Sequence, residues 1–142
     1  MPEYDYDEQE SRIAKIFSSN EIPDVSKQHA ETFINFIKTN ISPNVLLVGR
    51  EIFFPWEESY MFGRGTEREY KYLKKKQISH DDQVQLISFE KFDYDGDWVV
   101  KVKRLSDKKS FNAHLSWFKC VETDSNNAQL LDDFAFWIVN WC

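Results

Sequence analysis

The spacing of hydrophobic and polar positions switches from a helical to an extended period just after Pro43, and that switch divides the chain. In the first third, Ala30, Phe33, Ile34, Ile37 and Ile41 recur at steps of three and four, the repeat of one helical face. They predict a helix from about Ser26 to Asn40, ended by Pro43, with Lys38 suited to the negative end of its dipole. A shorter helix precedes it, running to about Ser18 with Ile13, Ile16 and Phe17 on a narrow apolar edge. Val45 to Val48 is a brief β-branched and apolar run that reads as a strand. The alternation of Ile52, Phe54, Trp56, Tyr60 and Phe62 predicts a further extended segment, with Glu58 among the aromatic positions. Gly63-Arg64-Gly65 breaks it, and Thr66 with Glu69 three residues later forms a capping box opening a helix to about Lys76.

From Gln83 onward the pattern predicts strands: Val84 to Phe92, Trp98 to Leu105, Phe111 to Val121 and Phe134 to Trp141. Asp95-Gly96 and Ser106 to Lys109 are turn signals between the first three. Phe111, Ala113, Leu115 and Trp117 alternate with Asn112, His114 and Ser116, giving one buried and one wet face. The last run is apolar on both sides and is expected to be covered on both. Ala128 to Asp133 reads as a short helical turn before it. The expected fold is α+β in a single domain, residues 1–142. N-terminal helices pack on an antiparallel sheet curled into an SH3-like, partly open β-barrel.

Composition sharpens this picture. Aromatic residues make up 16% of the chain against only four glycines and four prolines, which favours a well-packed sheet over a disordered chain. No apolar run is long enough to span a membrane as a helix. The opening stretch, residues 1–10, carries Glu3, Asp5, Asp7, Glu8 and Glu10 and is expected to be a frayed acidic leader or the first turn of the helix that follows, the opposite of a basic secretory signal. Cys120 and Cys142 make no disulfide framework, so the expected compartment is a reducing cytoplasm. A net charge of −6 opposes general nucleic-acid binding, and it leaves divalent cations and basic protein partners as fitting ligands.

Catalytic constellations are absent from the pattern. His114 and Cys120 lie on one predicted strand, about 20 Å apart at the usual rise per residue, out of reach of each other. Gly63-Arg64-Gly65-Thr66 lacks the lysine of a phosphate-binding loop. The cations Arg68, Lys71 and Lys75 share a helical face that suits solvent, an acidic partner or RNA. Carboxylates are more suggestive. Asp93, Asp95 and Asp97 alternate around Gly96, and alternating aspartates about a glycine turn can converge on a calcium ion, which takes six to eight oxygens. The same residues are also ordinary turn chemistry. Glu57 and Glu58, with Asp132 and Asp133 before the terminal run, form a second acidic group of candidate metal ligands.

The Phe- and Ile-rich helix, the short strand containing Phe54-Pro55, the meander, and the ending Leu131-Asp132-Asp133-Phe134-Ala135-Phe136-Trp137 resemble the CcbP-type calcium-binding proteins of cyanobacteria and other bacteria. The resemblance runs from about Phe33 to Trp141, and departs from the family's order at Gly63 to Asp82 and at the Asp93 to Asp97 hairpin. It implies a non-enzymatic protein with calcium as its ligand. The alternative expectation is a protein-interaction module, such as an immunity protein or adaptor that covers a basic partner, because small acidic aromatic-rich domains suit interfaces.

Overall fold

The computed structural model describes residues 8–51, 54–61, 63 and 65–142. Expectations placed on residues 1–7, Ile52, Phe53, Phe62 and Arg64 lie outside the described residues. Helix α1, Glu8–Ile16, ends two residues before the expected Ser18, which takes a left-handed φ of 51°. Helix α2, Lys27–Asn40, starts where the sequence placed it: the Ser26 hydroxyl accepts from the His29 N–H, and Ala30, Phe33, Ile34 and Ile37 are buried.

Strand β1, Leu46–Gly49, follows. The segment expected to be extended is instead helix α3, Pro55–Met61. Proline fits the first helical position, where no N–H is needed, and Glu57 two residues on reaches back to the Phe54 N–H at 3.0 Å. Helix α4, Glu67–Lys76, is capped by Thr66, whose hydroxyl accepts from the Glu69 N–H at 3.1 Å.

Strands β2 (Val84–Asp93), β3 (Asp97–Arg104) and β4 (Ser110–His114) form the expected meander. The third predicted strand is not continuous, because a 3-10 turn at Leu115–Trp117 separates β4 from β5, Phe118–Cys120. That turn passes the chain directly from one edge strand to the other, since the sheet order is β4-β3-β2-β1-β5. All pairings are antiparallel, and register shifts at Leu86/Ser88 and Phe89/Lys91 bend β2. No β4–β5 ladder closes the sheet among the described residues. His114 and Cys120, expected on one strand, therefore lie on different ones.

The terminal strand expected from Phe134 to Trp141 is part of helix α5, Asn126–Asn140, which also absorbs the predicted turn before it. Ser125 caps it by accepting from the Ala128 N–H. Leu131, Phe134, Ala135, Trp137 and Ile138 are buried, while the outer face carries the half-buried Phe136 and the 75% exposed Val139, so apolar residues fall on both sides and no polar stripe betrays the helical period. It packs against α1, α2, β5 and the 3-10 turn. At the centre, Phe33 meets Phe134 edge-on at 5.2 Å and Trp137 at 5.2 Å, and Phe17 lies 5.3 Å from Trp137. Such pairs add about 0.5–1.5 kcal/mol each beyond the area they bury. Among the described residues no helix is long and apolar enough to cross a membrane.

Candidate metal centre

The β2–β3 hairpin turns over three residues, Tyr94-Asp95-Gly96, between the paired Asp93 and Asp97. Gly96 holds a φ of +103°, which completes this three-residue loop, and its N–H donates to the Asp93 carbonyl at 2.8 Å. A methyl group there would approach the Cys142 sulfur to 2.7 Å, so the cysteine lies directly on the tip. Asp93 Oδ1 accepts from the Asp95 N–H at 3.0 Å, and its Oδ2 lies 2.6 Å from His114 Nε2. Both contacts hold the Asp93 carboxyl below its usual range.

Asp97 is the buried member, 6% exposed. Its Oδ1 accepts from the Trp98 N–H at 2.7 Å, and its Oδ2 accepts from the Ser116 hydroxyl. Burial pushes its carboxyl up nonetheless. His114 Nδ1 stands 3.8 Å from Asp97 Oδ2, which places the imidazole between the two aspartates. Asp95 and Tyr94 are exposed, the latter at 82%. The structure thus gathers Asp93 and Asp97 round His114 and leaves Asp95 in solvent.

The second acidic group does not gather. Glu57 is fully buried, and its two oxygens accept from the N–H groups of Phe54 and His80, the hydroxyls of Tyr70 (2.6 Å) and Ser79 (2.8 Å), and face His80 Nδ1 at 2.8 Å. Burial raises its carboxyl, but these hydrogen bonds outweigh that and hold it below the ordinary 4.5. Burial and the neighbouring carboxylate push Tyr70 up to about 12, so the phenol stays a donor. Glu58, one residue on, faces solvent. Asp132 pairs with Arg50 at 2.7 Å, while Asp133 is buried and held by the Arg12 guanidinium at 2.9 and 3.0 Å.

Among the described residues no three acidic, histidine or cysteine side chains are arranged to hold a metal ion. The hairpin tip supplies hard oxygen donors of the kind calcium takes, but not a ready cage. Sequence reasoning missed the partners His114 and Ser116, although the alternation had placed both on the wet face of their strand.

Taken together these features define an α+β protein built on an open five-stranded antiparallel sheet with an acidic hairpin tip. Residues 51–138 match the CcbP family, described as calcium binding, and the chain belongs to that family. It is a family defined by calcium rather than by a reaction. The crystal structure of Anabaena CcbP is similar in fold, with a TM-score of 0.56 at 15% identity, covering 97% of this chain and 95% of that one. A calcium binding protein solved in its calcium-binding form is similar with a TM-score of 0.55 at 13% identity, over 92% of this chain and 89% of the other. No curated protein matches the chain.

Proposed function

We propose that the protein is a single non-enzymatic domain that binds calcium at the β2–β3 tip, with Asp93, Asp95 and Asp97 supplying carboxylate oxygens. The family match carries this reading. The tip is favoured because Asp93 and Asp97 stand opposite each other at the end of one ladder, with Asp95 free to swing in between. Glu57, fully buried, and Asp133, held by the Arg12 guanidinium, serve the scaffold; Asp97 also accepts from Trp98 and Ser116 and would have to give up the Ser116 hydroxyl to reach an ion, and Glu58 and the half-exposed Asp132 are the next ligands to consider. The same commitment of Glu57 speaks against its use as a general base. Cys120 is buried and its thiol is pushed up to about 11, which speaks against a nucleophile.

Because the tip must release His114 from Asp93 and Ser116 from Asp97 and turn Asp95 inward, the expected affinity is modest, on the order of 10⁻⁴ M. An amide NMR titration tests it, with magnesium as control. Calcium is expected to shift a local set around Asp93 to Asp97, and Asp95→Asn with Asp93→Asn to weaken binding about tenfold or more. Calcium affinity unchanged in that double variant would move the site to Glu58 and Asp132.

The curled sheet fits an SH3-like, partly open barrel, as a three-residue 3-10 turn joins strands at its two edges. Two free thiols suit a reducing cytoplasm. A second reading, docking of a basic protein partner, is supported by Tyr94: a fully offered aromatic flanked by carboxylates is the make-up of an interface anchor. A partner captured equally well with and without calcium would favour it.

A further inference from the structure

The 3-10 turn at Leu115–Trp117 passes the chain from one edge strand to the other, yet His114, the residue that opens it, makes no side-chain cap. The hairpin supplies what is missing. Asp97 of β3 accepts from the Ser116 hydroxyl at Oδ2 and from the Ser116 N–H at Oδ1, 3.4 Å away. Asp93 of β2 holds His114 Nε2 at 2.6 Å. The paired aspartates at the end of the β2–β3 ladder thus fasten the first half of the turn from 21 and 19 positions back. Its other half is tied elsewhere. Leu115 is 1% exposed, the Arg50 N–H donates to the Trp117 carbonyl at 2.7 Å, and Trp117 packs on Phe54 with ring centres 5.6 Å apart. The His114 ring lies 4.7 Å from that of Trp117, so a movement of the imidazole is felt there.

An ion that touches both aspartates needs their oxygens at about 2.3–2.6 Å. The imidazole now fills the space between them, with Nε2 on Asp93 and Nδ1 3.8 Å from Asp97 Oδ2. The Ser116 hydroxyl occupies that same Asp97 oxygen. Resting on the calcium reading of the tip, we infer that calcium and the crossing turn compete for Asp93 and Asp97. His114 and Ser116 then set the calcium affinity, and calcium loosens the turn. The coupling is reciprocal, so whatever weakens the turn's hold on the two carboxylates tightens calcium binding. That direction is opposite to a purely supporting role, in which each lost contact would disorder the site and weaken binding.

Two variants of the full chain test the competition. His114→Phe keeps a ring against Trp117 and removes the hydrogen bond to Asp93; Ser116→Ala removes the hydroxyl. Each is expected to tighten calcium binding about threefold to tenfold in calorimetric titration, with magnesium as control. Without calcium both variants are expected to melt below the parent. At saturating calcium, where the parent has already given up these contacts, that difference is expected to close. In the parent, amide NMR should show calcium shifting Ser116, Trp117 and Arg50 together with Asp93 to Asp97. Shifts confined to Asp93 to Asp97, or calcium affinity unchanged or weakened in both variants, would overturn the competition and leave the calcium tip standing. No calcium response at Asp93 to Asp97 in the parent would remove the tip, and the competition with it.

Discussion

A carboxylate with no solvent contact, such as Glu57, must find its solvation inside the protein, and here backbone N–H groups, a phenol, a hydroxyl and an imidazole supply it. Because its folded pKa lies below the unfolded value, its contribution is fully present above about pH 4.5 and is lost as pH falls through the folded value. Glu57→Gln replaces the charge and turns an amide donor toward other donors. It is expected to cost about 2–3 kcal/mol at neutral pH. Chemical denaturation at neutral pH and in acid checks this, with the gap between variant and parent narrowing in acid. Equal stability at neutral pH would show that the network is dispensable. The sequence contained the signal for this residue: proline at the first helical position and glutamate at the third open a helix. The period-two alternation of the neighbouring aromatics read more strongly, because four bulky residues happen to fall at even spacing.

At the level of elements, α4 and α5 are opposite cases. Thr66 and Glu69 fix the start of α4 through local chemistry alone, so the sequence showed it plainly. Helix α5 is fixed by what its inner face packs on, and Phe136 and Val139 on its outer face erase the polar 3.6-residue stripe that would have distinguished it from a buried strand. Local chemistry also fails to show what holds the end of α4, because Arg104 comes from a strand 30 residues away from the Lys74 carbonyl it caps. The planar fork matters more than the charge there. Arg104→Lys is therefore expected to destabilise by about 3 kcal/mol, since a lysine cannot reach three carbonyls and two carboxylates together. Hydrogen exchange should show the loss concentrated in the last turn of α4. Uniform faster exchange across the sheet, with α4 unchanged, would show that the arginine matters to the core and not to the helix.

For the whole molecule, the sheet was legible where its strands are joined by short turns and illegible where they are not. The meander from Val84 to His114 follows from alternation and turn residues. The crossing at Leu115–Trp117 does not, since those residues keep the alternating pattern while the backbone leaves the strand. The acidic tip was legible as a candidate site for the same reason as the hairpin itself. His114 was not, because its contact with Asp93 spans 21 positions.

The placement of β5 beside β1 has a consequence for how the fold is reached. Val48 pairs with Lys119, about seventy residues along the chain, whereas the meander closes through local turns. Distant pairings carry the larger entropic barrier, so the order of events is meander first and this seam last. Gly49 sits in the seam, and a methyl group there would meet the His80 carbonyl oxygen at 2.8 Å. Gly49→Ala is expected to cost about 1–3 kcal/mol. In stopped-flow experiments nearly all of that cost should appear as faster unfolding, with refolding barely changed. Comparable slowing of refolding would put the seam in the transition state instead. A seam formed last is also the first to part, so the lifetime of the native state is set at the β1–β5 edge.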